Sequence, residues 1–363
     1  MVWVILVIVV VFCLSEYLYE YYRFFAKYNQ TPLDIKTFDG SNQPFHPSVI
    51  FVDKGWNGFR YWMAETPYPI GGKPYRDRWE CPTIHVSNDG YNWAVPGELR
   101  PIDDLTAEEI QRGDYFSDPH LVFKEDGSLE CFYRLSSPTK EKLHTRILRK
   151  TSNDGISWKN REVLIDLMSD EAINTVGYVV SPAILYEDGK YCMWYVDAIH
   201  PFGPDKHICL STSVDGYQWS KLTKCVLKGP YVNPWHIDVT NIDGLYYLTI
   251  YDIKELTIWK SLDGITFTYL RTLISPAFIR GCFYSEGLYR SSLVKTDEDL
   301  KLYFSAYDNQ RTYLGLMSGD CIDNLTPLPI QGKRVKISNF PRTYLSIWKR
   351  RFKMFKSCLR TLS

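Results

Sequence analysis

The chain has 363 residues, of which 45% are hydrophobic and 15% aromatic, enough for one large packed core or two ordinary domains. Lys+Arg and Asp+Glu balance at 42 each, which excludes the basic excess expected of a nucleic-acid partner. The nine Cys are scattered without a C-x-x-C pair, which argues against a secreted disulfide framework and for a reducing compartment.

The chain opens on "MVWVILVIVVVFCL", Met1 to Leu14, without a charged side chain. As a helix this run spans about 21 Å, short of the roughly 30 Å hydrocarbon core. The Tyr-rich "SEYLYEYYRFF" that follows suits the headgroup layer. A basic n-region and a small-x-small cleavage site are missing, so a cleaved signal peptide is not expected. Residues 1–27 are read as a membrane anchor and 28–43 as a linker; the alternative for the apolar run is a buried core strand. Arg23, Lys27 and Lys36 follow the run and no Lys or Arg precedes it, which places the following domain on the cytoplasmic face. A signal-anchor with an exported domain is the alternative. At the far end, residues 336–363 include "WKRRFKMFKSCLRTLS", a basic amphipathic pattern suited to anionic lipid or to a solvated tail.

Between these ends the sequence repeats. "SNDGYNW" from Ser87, "SNDGISW" from Ser152, "SVDGYQW" from Ser213 and "SLDGITF" from Ser261 share one turn pattern, and a degraded copy starts at Ser318. Ahead of each copy stand an apolar run, an Asp/Gly turn and an aromatic-rich run, the signature of a β-hairpin. The units read as four-stranded and recur roughly every 50–65 residues, which predicts an all-β fold, a five-bladed β-propeller over residues 44–335. The aromatic three residues after each turn Gly is expected to pack between neighbouring units.

In a propeller the first strand of each blade lines the central channel. The overlaid openings carry His46 in "FHPSVIF", Asp118 in "YFSDPHLVF", Ser181, His236 and Arg290, a polar ring around an axial pocket. The returning strands place Glu65, Arg134 and Asp197 near the same mouth, and Glu80 opens the third strand of blade one. Trp235 and Tyr289 precede ring residues and are expected to stack on a sugar face. Asp238, two residues past His236, joins the substrate-binding set.

Five blades with an Asp-Pro at a first-strand opening resemble the furanosidase clan, glycoside hydrolase families 43, 32 and 68, and the related family 130 phosphorylases. The resemblance implies that Asp118 stabilises the transition state or tunes the acid. His46 occupies the base position of the first blade, and Ser181 stands where the resemblance implies a Glu. Glu80 is then the substitute acid, giving Asp118, Glu80 and His46 as the catalytic candidates. Two His and one Arg against one Asp in the ring predict affinity for an anion. Three readings follow: a glycoside hydrolase of cell-surface or capsular polysaccharide or its precursors, a phosphorylase or glycosyltransferase with an anionic substrate, and a non-catalytic glycan-binding propeller. The expected partners are a carbohydrate and, through the two ends, membrane lipid, with no nucleic acid. No cofactor is expected and no metal cluster stands out in sequence spacing; the alternative is a structural calcium ion in the axial channel.

Overall fold

The computed structural model of the protein describes residues 10–18, 31–70, 80–138, 143–166, 178–198, 206–252, 255–276, 282–327 and 348. Five sheets succeed one another along the chain. Blade one is β1 (Pro44–Trp56), β2 (Phe59–Pro67) and β3 (Thr83–Ser87). Blade two is β4 (Tyr115–Phe123), β5 (Leu129–Pro138), β6 (Leu143–Ser152) and β7 (Glu162–Asp166). Blade three is β8 (Tyr178–Glu187), β9 (Lys190–Ala198), β10 (Lys206–Ser213) and β11 (Thr223–Lys224). Blade four is β13 (His236–Ile242), β14 (Leu245–Tyr251), β15 (Leu256–Ser261) and β16 (Thr266–Ile274), with β12 (Val226–Lys228) added in parallel along β16. Blade five is β17 (Gly287–Lys295), β18 (Leu300–Tyr307), β19 (Thr312–Gly319) and β20 (Thr326–Pro327).

The inner strands β1, β4, β8, β13 and β17 neighbour one another in a closed ring. This is the five-bladed propeller that the repeats predict. Two blades depart from four strands. Among the described residues blade one has three, its outer edge met by the isolated bridges of Thr83 with Pro101 and Val86 with Ala94, and blade four has five.

Local chemistry explains the regularity. Asn57-Gly58, Asp188-Gly189 and Asp243-Gly244 have both residues at positive φ, the conformation that a two-residue hairpin with native twist requires. The S-x-D-G copies all fold alike. Asp89 Oδ1 accepts from the backbone N–H groups of Tyr91 and Asn92, and Ser87 Oγ accepts from Gly90 N–H. Asp154, Asp215 and Asp263 repeat this arrangement.

Each turn also clamps the preceding blade. Trp194 of blade three donates its indole N–H to Gly264 O, and Tyr303 of blade five donates to Gly90 O. Trp93 meets Tyr61 and Tyr303 at the seam of blades one and five, and Trp219 and Phe267 are buried at theirs. The expected inter-blade packing is therefore present.

One consequence is testable by mutation. A Cβ on Gly155 would lie 2.1 Å from Trp62 Cζ3 at φ +75°, whereas Gly127, at φ +80°, has nothing within 4 Å. Gly155→Ala is expected to destabilise by about 2–5 kcal/mol, the sum of a left-handed penalty and overpacking. Gly127→Ala should cost only about 1–2 kcal/mol. Urea unfolding of the two variants checks this; equal losses would show that the turn does not clamp the neighbouring blade.

Inner strands of a propeller diverge, so their backbones cannot form a continuous ladder. Side chains bridge each seam instead. Ser48 Oγ accepts from Leu121 N, His120 Nε2 donates to Ile184 O, and Ser181 Oγ accepts from Ile237 N. Asp238 Oδ2 accepts from Leu293 N, and Ser292 Oγ accepts from Val49 N, closing the circle.

The described part of the 28–43 linker, residues 31–43, packs on the seam of blades five and one. Leu33 N donates to Leu314 O, and Ile35 is buried among Val49, Met63 and Leu316. Of the expected anchor, residues 10–18 are helical with Val10, Val11, Phe12, Leu14 and Leu18 exposed. Among the described residues no helix is long and apolar enough to cross a membrane. The basic tail lies outside the described residues apart from Trp348.

Candidate active site

His46, Asp118 and Ser181 share one unusual backbone. Each precedes a proline and lies in the left-handed region, at φ 51°, 53° and 52°. Each sits in a register shift of its inner strand, between Phe45 and Ser48, Ser117 and His120, and Val180 and Ala183. Such bulges re-aim a side chain, and non-glycine residues held there cost on the order of 1–3 kcal/mol each. Glu80 has the same strain at φ 57°. Four strained, buried residues gathered in one centre are the backbone mark of a functional site.

Asp118 is the hub. It is fully buried, and its Oδ2 faces Arg134 Nε at 3.1 Å and accepts from Ser181 N at 3.2 Å. Its Oδ1 has no hydrogen-bond partner. It lies 3.4 Å from His236 Nδ1, 3.9 Å from Arg290 Nη1 and 4.0 Å from His46 Nε2. His46 Nδ1 meets Thr66 Oγ1 at 2.9 Å and Glu80 Oε2 at 3.3 Å. Both ring nitrogens of His236 and Glu80 Oε2 are buried without hydrogen-bond partners.

These environments divide the charges. Burial pushes the His46 imidazole down to about 3, with Arg290 and Arg134 adding to the effect and Asp118 opposing it. Burial likewise holds His236 well below its ordinary value. Burial works against ionisation of Asp118, but Arg134, His236, His46 and Arg290 together hold its carboxyl well below the usual carboxylate range. Glu80 is raised well above that range by burial, with the Asp118 charge adding to it. At neutral pH the centre therefore holds two neutral imidazoles and one carboxylate, beside a Glu80 carboxyl biased toward its protonated form.

The ring is accordingly less cationic than its composition predicts. The positive charge expected of this ring is reduced, because the two imidazoles are uncharged and Arg134 and Arg290 both face Asp118. Arg290 also donates from Nη2 to Pro182 O at 2.9 Å and meets His120 Nδ1 at 3.3 Å. Ser181 spends its hydroxyl on Ile237, stitching blades three and four.

The second ring is corrected by parity along β2. Thr66 faces His46, which turns Glu65 to the other face, where Oε1 pairs with His85 Nε2 at 3.1 Å. Asp197 is fully buried, and its charge acts on Tyr195 and Cys209 within blade three. Asp238 bridges a seam, and burial lifts its carboxyl to about 7. Arg134 is the partner of Asp118 rather than a free substrate donor.

Trp235 and Tyr289 flank the His236 side of the centre as a coupled pair, the indole donating to the phenol oxygen at 2.8 Å. Tyr289 packs against His236 at 4.0 Å and stacks on Phe45 at 4.9 Å. Lys206 Nζ covers one face of Trp235 at 4.3 Å. One face of each ring is thus already taken by protein. Thr66, His120 and Lys206 are site residues that the sequence reading missed. Lys206 had a usable signal: it precedes its turn serine, Ser213, by seven residues, as Glu80 precedes Ser87.

Among the described residues, His46, Asp118 and His236 form a cluster whose ligand atoms lie within 4.8 Å of one another. The set fits a divalent cation. Two neutral imidazoles and one carboxylate match a catalytic metal's ligands. Asp118 Oδ1 and His236 are the orphaned atoms such an ion would satisfy. The third ligand, His46, is fixed through its other nitrogen by Thr66, as ligating imidazoles commonly are.

No family model matches the chain. Among characterised proteins it is similar to an A type blood N-acetyl-alpha-D-galactosamine deacetylase from Flavonifractor plautii, 23% identical over 338 residues, covering 78% of this chain and 42% of that protein. The chain thus spans about two fifths of that relative's length. An N-acetylgalactosamine deacetylase from F. plautii, solved with blood group B trisaccharide, superposes with a TM-score of 0.68 at 18% identity, over 81% of this chain and 96% of that one. A family 43 beta-xylosidase/alpha-arabinofuranosidase from a compost metagenome gives 0.55 at 14% identity, over 83% and 97%. These likenesses agree on the propeller, the fold that the clan resemblance implies.

Proposed function

We propose that this protein is a metal-dependent hydrolase that removes an acetyl group from an amino sugar of a glycan. The observation that carries the reading is the buried His46, Asp118 and His236 cluster, with two imidazoles held neutral beside an ionised carboxylate. The likeness to a deacetylase supports the same reaction class.

His46 Nε2, Asp118 Oδ1 and His236 Nδ1 would hold the cation. When bound, it would supply Lewis acidity, polarising the acyl oxygen and acidifying a water. The chain's own residues do the rest. Glu80 Oε2 stands beside His46, and a cation nearby would lower its raised pKa toward working pH. Glu80 then takes the proton of the water that attacks the acetyl carbon. It returns that proton to the sugar nitrogen as the C–N bond breaks, releasing acetate and a free amine. Arg290 Nε and Nη1, buried without hydrogen-bond partners, are donors available to the oxygen that gains charge. Burial of the whole centre keeps bulk water from competing for these donors.

A second reading has one specific observation in its favour. The split between a raised Glu80 and a depressed Asp118 is the pattern of an acid and a charged carboxylate flanking a glycosidic bond. One assay separates the two. Incubation with N-acetylgalactosamine glycosides is expected to release acetate and leave the glycosidic bond intact. Release of reducing sugar without acetate would replace deacetylation by glycoside hydrolysis.

A further inference from the structure

Lys206 stands apart from the metal-ligand cluster. It opens β10, is 7% exposed, and its Nζ has no hydrogen-bond partner. Its ammonium rests on the ring of Trp235 at 4.3 Å, and Trp235 is tied through Tyr289 to His236 of the centre. Lys206 also holds the blade-three counterpart of the Glu80 slot, seven residues ahead of the turn serine. Glu80 in that slot reaches His46 at 3.3 Å.

A buried ammonium is expensive unless it is paired. An indole face repays part of that through cation–π attraction, but it leaves the three N–H donors unused. Burial lowers the Lys206 pKa, and no acidic group among the described residues acts to raise it. Every other strongly buried cation near the centre has an acceptor: Arg134 has Ser117 and Asp118, and Arg290 has Pro182 O.

We infer that Lys206 is the anion-recognition residue of the substrate pocket, and that the sugar it receives carries an acidic group, a carboxylate or a phosphate. The acid's oxygens supply the missing acceptors of Nζ while Trp235 lies under the cation. This places the anion site on blade three, away from Arg290. The inference takes its kinetic test from the deacetylase reading but has a binding test independent of it.

The kinetic test compares acetate release from methyl N-acetylgalactosaminide, its uronic acid and its 6-phosphate by wild-type protein and by Lys206→Met. Wild type is expected to favour one of the acidic substrates by about ten-fold or more in kcat/KM, and the uronate and phosphate arms identify which acid. In K206M that preference should collapse to about one. Because the ratio is taken within one protein sample, partial unfolding of the variant does not affect it. No acidic preference in wild type, or a preference retained in K206M, overturns the inference. If none of the three releases acetate, the deacetylase reading fails. Calorimetric binding of methyl galacturonide and galactose 6-phosphate then decides: binding of either acid to wild type that K206M loses supports the anion site, and no difference between the two proteins refutes it.

Discussion

Asp118→Asn is expected to reduce turnover by about a thousand-fold or more, the scale of losing a group that stabilises charge at the reacting centre. Asn is the gentlest replacement available, because it tolerates the left-handed backbone that Asp118 adopts at φ 53°. The isosteric amide still removes the carboxylate that faces Arg134, Arg290 and both imidazoles. Breaking such a buried pair costs about 3–5 kcal/mol, so stability should fall together with activity. Turnover per folded molecule, with the folded fraction read by circular dichroism, isolates the chemical loss. Near-normal turnover per folded molecule would remove Asp118 from the chemistry and leave it as a structural counter-ion.

Stripping divalent metal with a chelator is expected to abolish acetate release, and adding back manganese, cobalt or zinc should restore it. Metal addition should also raise the unfolding temperature, since a ligand bound only to the native state stabilises it by about 2.7 kcal/mol at a hundred times its Kd. The pH dependence has a definite sign. Metal competes with protons for imidazole nitrogen, and an imidazole at its ordinary pKa near 6.5 is mostly protonated at pH 5. The His46 value of about 3 moves that competition downward, so metal should stay bound at pH 5 and be lost as pH falls toward 3. The same depression bears on stability. The unfolded chain takes up protons below about 6.5 and the native centre does not, so these imidazoles favour unfolding as pH falls through that range. Glu80 and Asp238, shifted upward, act in the opposite sense. Full activity in chelated protein, with no residual metal, would exclude the metal-dependent route and leave the two-carboxylate reading.

The propeller was legible because its determinants are local. An Asp-Gly pair sets its own turn, and the S-x-D-G motif satisfies its own backbone donors, so each copy folds alike wherever it occurs. The ring of His46, Asp118, Ser181, His236 and Arg290 was legible for the same reason, since it follows from overlaying the repeats. Local reasoning went astray where a single residue of register mattered. Glu65 and Thr66 are adjacent, yet only Thr66 faces the pocket, and the bulges that aim His46 and Asp118 leave no mark beyond a following proline.

The charge state of the ring was hidden too, because it depends on burial and on neighbours from other blades. Two histidines read as cationic are neutral, and Arg290 spends Nη2 on Pro182 O and His120 while its charge faces Asp118, leaving only Nε and Nη1 without hydrogen-bond partners. The metal-ligand set escaped spacing rules because its three members come from blades one, two and four and meet only in the closed ring. Lys206 was overlooked because the third-strand slot was read only in blade one, at Glu80, and not carried over to blade three.

The central claim is that His46, Asp118 and His236 together hold a catalytic divalent cation. Anomalous diffraction from crystals grown with manganese or zinc, recorded above and below the metal's absorption edge, addresses it most directly. One edge-dependent peak is expected within bonding distance, about 2.0–2.2 Å, of His46 Nε2, Asp118 Oδ1 and His236 Nδ1. A map with no peak among these atoms, from crystals of protein that deacetylates its substrate, would contradict the claim.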